Sequence, residues 1–280
     1  MKKIRVTLSE DIWRLIGKDV EEFGINSNRL CNYILDKLKY EKNMDIHKLI
    51  ENSTGIQKKI IQFDLNSANE TIYYDILREN GVENEAEFFR NLFELYTSKF
   101  KYQREIFVFM DRVLEILDAI DRKCKMKIIY YGEVYTVNPY FIKREEQGDE
   151  NFLFCYHCEE KKYLNFKLKD LAVGGILQEK IDFYDKKYIE MVKKNFDPFL
   201  GYGNIVKVKL SPKGEGFLKG ITNYKPKLKK REGNIYSFEM SNENAKIYFL
   251  PFMENVEILS PPELREEMRN SLLSTLKLYS

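Results

Sequence analysis

The chain has 280 residues, 44% of them hydrophobic, which is enough for real cores and excludes a disordered polymer. Its 46 basic and 44 acidic side chains leave a net charge of +2, so no global attraction to polyanions follows, and any nucleic-acid surface must be local. No apolar run suits a leader or a membrane span, and four cysteines make no disulfide framework, so a cytoplasmic protein of about two to three modules is expected, with no membrane partner.

The chain opens on an internal repeat. Residues 2–40 and 59–97 align without a gap at an offset of 57. Ile4, Val6 and Leu8 fall opposite Ile61, Phe63 and Leu65, the alternation of a short strand with one apolar face. A helix is predicted from Ser9, a good N-cap, with Glu10 and Asp11 in its first turn. Ile12, Leu15, Ile16 and Val20 form its buried stripe, and Gly24 ends it; Gly81 does the same in the second copy. Second helices are predicted from near Ser27 and Asn84, with Cys31, Leu35 and Leu38 matching Phe88, Leu92 and Leu95.

This strand–helix–turn–helix order resembles the ribbon-helix-helix fold in tandem. One such unit cannot bury its own core, so two must pair their strands, within one chain or across a dimer. The resemblance implies a ribbon that enters the major groove of duplex DNA, with outward side chains reading bases. Those positions are Lys3, Arg5 and Thr7 in the first strand, and Ile60, Gln62 and Asp64 in the second. Gln62 can read a base, whereas Asp64 would repel phosphate. The helix start at Asn26, Ser27 and Asn28 offers backbone N–H groups to a phosphate. A simple amphipathic strand would also place polar residues outward.

Residues 41–58 read as a polar connector, and its His47 has no expected role. Residues 59–99 hold the second repeat, and 100–123 read as one long amphipathic connecting helix. From 124 to 190, short strands separated by tight turns predict a small barrel. The order of "IIYYGEVYTVNPYFI", "ENFLFCYH", "YLNFKLKDL" and "ILQEKIDFY" resembles a WYL domain, a small Sm-like, SH3-type barrel. Asn151, Phe152 and Leu153 stand where that family carries its name-giving Trp-Tyr-Leu, with Pro139 and Tyr130 at two further family positions. Leu164 and Asp170 stand where the family has basic pocket residues. The resemblance implies a ligand pocket at Tyr130, Phe152 and Tyr156, with Lys161, Lys162, Lys167 and Lys169 supplying charge. A lysine-guarded sheet edge would look the same.

After a linker at 191–204, residues 205–280 resemble the extension that follows WYL domains, through "NVEILSPPELREEMRNSLLSTLKLY". "NIVKVKLSP", "NIYSFEM" and "AKIYFLPF" are predicted strands, and Pro261 and Pro262 seed a closing helix. Its one-sided face is Leu264, Met268, Leu272, Leu276 and Tyr279. The result is an α+β multidomain chain ending in an α/β sandwich, and the family implies dimerisation through this last module. Residues 205–231 are the most basic stretch, read as a loop in which Lys225, Lys227, Lys229, Lys230 and Arg231 meet a nucleic-acid backbone beside a stacking Tyr224.

No phosphate loop or catalytic constellation is visible, so no enzymatic activity and no cofactor are expected. Cys155, His157 and Cys158 in "FCYHC" suggest a metal, but a strand would send the two thiols to opposite faces. Two functions follow from the resemblances. One is a transcriptional regulator that binds duplex DNA and senses a nucleotide or single-stranded nucleic acid. The order ribbon-helix-helix, WYL, then a dimerising C-terminal module also resembles the accessory proteins of RNA-targeting type VI-D CRISPR systems, which implies the other: a single-stranded-RNA-binding accessory protein that stimulates an RNA-guided CRISPR nuclease. A homodimer is expected in either case.

Overall fold

The computed structural model describes residues 2–40, 58–145, 149–221 and 224–279. Residues 41–57 of the expected connector, His47 among them, lie outside the described residues. The chain divides into two compact units, Met1–Leu114 and Glu115–Ser280.

In the first unit β1 (Lys3–Ser9) leads into α1 (Glu10–Glu22) and α2 (Ser27–Leu38), and β2 (Lys58–Asp64) into α3 (Ser67–Glu79) and α4 (Glu85–Thr97). β1 and β2 pair antiparallel from Lys3 opposite Asp64 to Ser9 opposite Lys58. The ribbon therefore closes within one chain. Its inward residues Ile4, Val6, Leu8, Ile61 and Phe63 are buried with both helix pairs in one core. Ser9 Oγ accepts the Ile12 N–H, and Asn66 Oδ1 accepts the Asn69 N–H, capping the two first helices. Gly24 and Gly81 then take left-handed backbone, φ 62° and 61°, which lets each helix stop abruptly.

Here the gapless alignment needs correction. The N-caps of the second helices are Asn26 and Asn84, 58 residues apart rather than 57. One extra residue follows Gly81. The true equivalents are Cys31 with Phe89, Ile34 with Leu92, Leu35 with Phe93 and Leu38 with Tyr96, and all eight are buried. Phe88 and Leu95 are only partly buried against that core.

Two polar knots sit in this core. Asp19, 1% exposed, receives Arg104 Nε at 2.6 Å, Arg104 Nη2 at 3.1 Å and the Tyr96 hydroxyl at 2.8 Å. Asn32 donates to the carbonyls of Asn28 and Asp64, and its own side-chain oxygen accepts the Asn66 N–H and the Asn69 amide. The first knot ties α1 to α4 and to α5 (Lys101–Val108); the second ties α2 to the turn between β2 and α3. The expected continuous helix over 100–123 is instead α5 and α6 (Met110–Asp121), broken at Phe109 (φ −105°, ψ 25°). Phe109 turns inward, edge-on to Phe23 at 5.8 Å, with the Arg112 guanidinium 4.3 Å from its ring.

The second unit begins with β3 (Cys124–Tyr130), β4 (Glu133–Glu145), β5 (Glu150–His157), β6 (Lys162–Lys167) and β7 (Leu171–Lys180), in the order β6-β5-β4-β3-β7. The expected barrel is not closed. β6 and β7, the strands that would have to meet, are joined by a single 3-10 turn, Leu168–Asp170, and β7 takes its ladder from β3. The expected linker at 191–204 is also packed structure. α7 (Lys186–Lys194) lays Ile189 and Val192 on Tyr140, Phe141 and Phe154, and Phe199 and Leu200 are buried after it.

The last module is a four-stranded antiparallel sheet, β11-β8-β10-β9, from β8 (Ile205–Leu210), β9 (Lys227–Glu232), β10 (Ile235–Glu239) and β11 (Val256–Ser260). Helices α8 (Pro212–Gly220), α9 (Asn242–Phe249) and α10 (Pro262–Leu276) accompany it. The predicted strand over "AKIYFLPF" is helical. Ser241 Oγ accepts the Asn244 N–H, and Ala245 and Phe249, one turn apart, are buried together. α10 buries Leu264 and Met268, but Leu272, Leu276 and Tyr279 from its expected face are exposed.

Candidate nucleic-acid interface

The outer face of the ribbon is built by strand alternation. With Ile4, Val6 and Leu8 inward, Lys3, Arg5 and Thr7 are exposed, next to Asp64, Gln62 and Ile60. The register places Arg5 opposite Gln62 at the centre of the ribbon, Lys3 opposite Asp64 and Thr7 opposite Ile60. Asp64 therefore stands beside Lys3 and offsets its charge, leaving Arg5 and Gln62 as the central donors. Lys58, opposite Ser9, adds a cation that the predicted start of the strand had excluded; its sign was present in the sequence, but β2 starts one residue earlier than the repeat implied.

The start of α2 is close to this face. Asn26 Oδ1 caps the helix through the Arg29 N–H at 2.7 Å, and Asn28 Oδ1 accepts the Asp64 N–H at 2.7 Å. The Ser27 hydroxyl bonds the Cys31 thiol, whose pKa burial pushes up to about 12. These side chains are thus committed to the fold. What α2 can present to a phosphate is the backbone N–H groups of its first turn.

The basic stretch 205–231 is not a loop. It holds β8, α8 and the edge strand β9, all of whose residues are exposed. Lys229 pairs with Glu239 at 2.5 Å, Lys230 with Glu232 at 2.8 Å and Arg231 with Glu215 at 3.1 Å, while Lys227 lies 3.8 Å from Glu239. Of the five cations expected to meet a backbone, Lys225 forms no ion pair among the described residues and Lys227 only this long one. Tyr224 is not available to stack a base. Its ring packs on Phe199 at 4.4 Å and parallel to Phe152 at 6.2 Å, with Lys167 Nζ 4.6 Å from its centroid.

The proposed ligand pocket is split by the sheet. Phe152, Tyr156 and Lys167 share one face, with Phe152 opposite Lys167 and Tyr156 opposite Tyr163. Tyr130 and Lys162 lie on the other face, toward Phe166 and His157. Phe152 is 1% exposed, and the Tyr156 ring is stacked on Phe183 at 4.2 Å. Lys167 and Lys169 both bind Glu150, at 2.8 and 3.2 Å, and Lys162 is shared by Glu160 and Glu243. Lys161 is exposed in the turn before β6, with φ 52°. These seven residues therefore do not form one pocket. Aromatic side chains from outside the strands, Phe183 and Tyr224, cover the face that a ligand would need; their sequence distance hid this.

In the "FCYHC" stretch Cys155 Sγ lies 3.7 Å from the Leu164 carbonyl, and Cys158 Sγ lies 3.6 Å from Asn138 Oδ1. The thiols face opposite sides of the sheet, and burial pushes both pKa values up. His157 Nε2 is 3.0 Å from Glu159, with the ring edge-on to Tyr135. The three side chains serve separate partners.

By fold, the chain is an α+β protein in which two strand–helix–helix repeats share one ribbon, followed by an open five-stranded sheet and a four-stranded sheet with helices. That whole arrangement matches the crystal structure of a CRISPR Cas-related protein at a TM-score of 0.59, with 18% identity over 99% of this chain and 94% of the other. Proteasome accessory factor B/C (PafBC) of Arthrobacter aurescens aligns over 100% of this chain and 50% of its own, with 13% identity and a TM-score of 0.26, a value that carries no argument. No family model matches the sequence, and no curated protein does. Among the described residues no helix is long and apolar enough to cross a membrane.

Proposed function

We propose that this protein is a nucleic-acid-binding accessory factor of an RNA-guided CRISPR system, acting by binding rather than by catalysis. The observation that carries this reading is the likeness of fold over 99% of the chain to a CRISPR Cas-related protein. The resemblance of its sequence to the accessory proteins of type VI-D systems supports the same reading and suggests single-stranded RNA as the ligand. The outer ribbon face, with Lys3, Arg5, Lys58 and Gln62, is where the chain itself offers cations and amide donors on a rigid element. Exposed Leu272, Leu273 and Leu276 on α10 suit a homodimer contact.

A second reading, an operator-binding transcriptional regulator, draws on the ribbon alone. A gel-shift series with single-stranded RNA, single-stranded DNA and upstream duplex DNA separates them. The accessory reading expects RNA to bind more tightly than duplex, with stimulation of a co-expressed CRISPR nuclease. Lys3→Ala/Arg5→Ala should lower affinity for whichever nucleic acid the ribbon holds and flatten its salt dependence by about two counterions. Binding of duplex alone would favour the regulator, and binding of none would end both readings.

A further inference from the structure

The two repeats share one ribbon, so its two ends are built from equivalent positions. At one end each lysine has a carboxylate beside it. The Lys2 ammonium meets Glu85 at 3.2 Å, the Lys2 backbone N–H donates to Glu70 at 2.6 Å, and Lys3 stands opposite Asp64. The offset of 57 carries Lys2 to Lys59, Glu70 to Trp13, and the pair of Lys3 and Asp64 to Ile60 and Thr7. The offset of 58 carries Glu85 to Ser27. None of these three carboxylates has an acidic counterpart at the other end.

That other end keeps its cations. Lys58 is exposed and Lys59 half-buried, and among the described residues neither forms an ion pair. The acidic side chains of the first turn of α1 are Glu10 and Asp11, and Glu10 is held by Arg14 at 3.0 Å. In the place of Glu70 stands the chain's single tryptophan, 42% exposed, on a helix capped by Ser9. The Lys59 ammonium lies 6.0 Å from the centroid of its ring. An exposed ring on a rigid element beside unpaired lysines is what holds a single strand: the ring takes the face of a base, and the ammonium groups take phosphate.

We propose that Trp13, Lys58 and Lys59 form a stacking subsite for one unpaired base of a single-stranded nucleic acid, with Trp13 under the base and the two lysines on its flanking phosphates. The subsite rests on the nucleic-acid reading above and gives the ribbon a polarity, since only one of its equivalent ends is equipped this way. It also favours a single strand over a duplex, whose bases are already stacked on one another.

The full chain is titrated with a labelled oligouridine RNA and with the same RNA carrying abasic units, and binding is followed by anisotropy of the label. Because Trp13 is the single tryptophan, its own fluorescence reports the stack directly. Oligouridine should quench it with the midpoint seen by anisotropy, and abasic RNA should bind without quenching. Trp13→Ala should lower oligouridine affinity at least about fivefold, leave abasic RNA unchanged and keep the melting temperature, and Trp13→Phe should recover most of the loss. Lys58→Gln/Lys59→Gln should weaken both RNAs, and Lys2→Gln at the neutralised end neither. The quenching is read on the parent, so the test stands even if Trp13→Ala fails to fold. Oligouridine binding without quenching, equal quenching by abasic RNA, or equal losses of both RNAs in Trp13→Ala overturns the subsite and leaves the nucleic-acid reading standing. Binding of no nucleic acid ends both.

Discussion

At the scale of single residues, one buried ion pair and one partly buried carboxylate held by two lysines make the sharpest predictions. Arg104 reaches across the first unit to Asp19, and the side chains of both are almost wholly buried. Arg104→Ala would strand a buried carboxylate and should cost about 3–5 kcal/mol in denaturant unfolding. The double variant Asp19→Leu/Arg104→Met should recover most of that loss, because what is costly is the unpaired charge. In the second unit, burial pushes the Glu150 carboxyl up, but hydrogen bonds and attraction from Lys167 and Lys169 outweigh it, so its pKa is lowered. A carboxylate with a depressed folded pKa adds stability above its unfolded pKa and loses it as pH falls through the folded value. Thermal melts should therefore drop as pH falls below the ordinary 4.5. Lys167→Met/Lys169→Met leaves burial unopposed and lifts the folded pKa above the unfolded one, so this part of the drop should vanish or reverse and the variant should lose less melting temperature than the parent as pH falls below 4.5. Melting curves of the variant that follow the parent at every pH would refute this role.

At the scale of elements, the informative one is α4. The extra residue after Gly81 rotates α4 by about 100° relative to the gapless alignment, since each helical residue turns that far. Phe89 and Phe93, not Phe88, are then fully buried, with Phe93 beside Phe63 at 6.3 Å. Phe93→Ala should cost about 3–5 kcal/mol in denaturant unfolding, and Phe88→Ala clearly less. Equal losses would return the offset to 57. The strands and first helices were legible because alternation, N-caps and glycine stops all agreed on them. The second helices were not, because an insertion in a turn leaves no hydrophobic signal of its own. "AKIYFLPF" misled for a related reason. A run this short and apolar has no clear period, and the Ser241 cap decides it.

At the scale of the whole molecule, α10 buries Leu264 and Met268 but leaves Leu272, Leu273 and Leu276 at 38%, 43% and 62% exposed. If these cover one another in the proposed homodimer, light scattering should give twice the 33.5 kDa chain mass. Leu273→Glu/Leu276→Glu should then give the single-chain mass with unchanged melting of the monomer. A parent chain that already runs at the single mass would exclude the contact.

Local periodicity and capping were enough to establish the strand–helix–helix repeats, the outward set Lys3, Arg5 and Thr7, and the succession of short strands between Cys124 and Lys180. Long-range packing settled that the ribbon closes within one chain, that β7 returns to β3 instead of closing a barrel, and that Phe183 and Tyr224 lie over the face expected to hold a ligand. It also decided which cations of the basic stretch are paired, since the carboxylates that meet Lys229 and Arg231 come from Glu239 and Glu215. Each of these depends on contacts between residues far apart in the chain, where no local pattern records which partner wins.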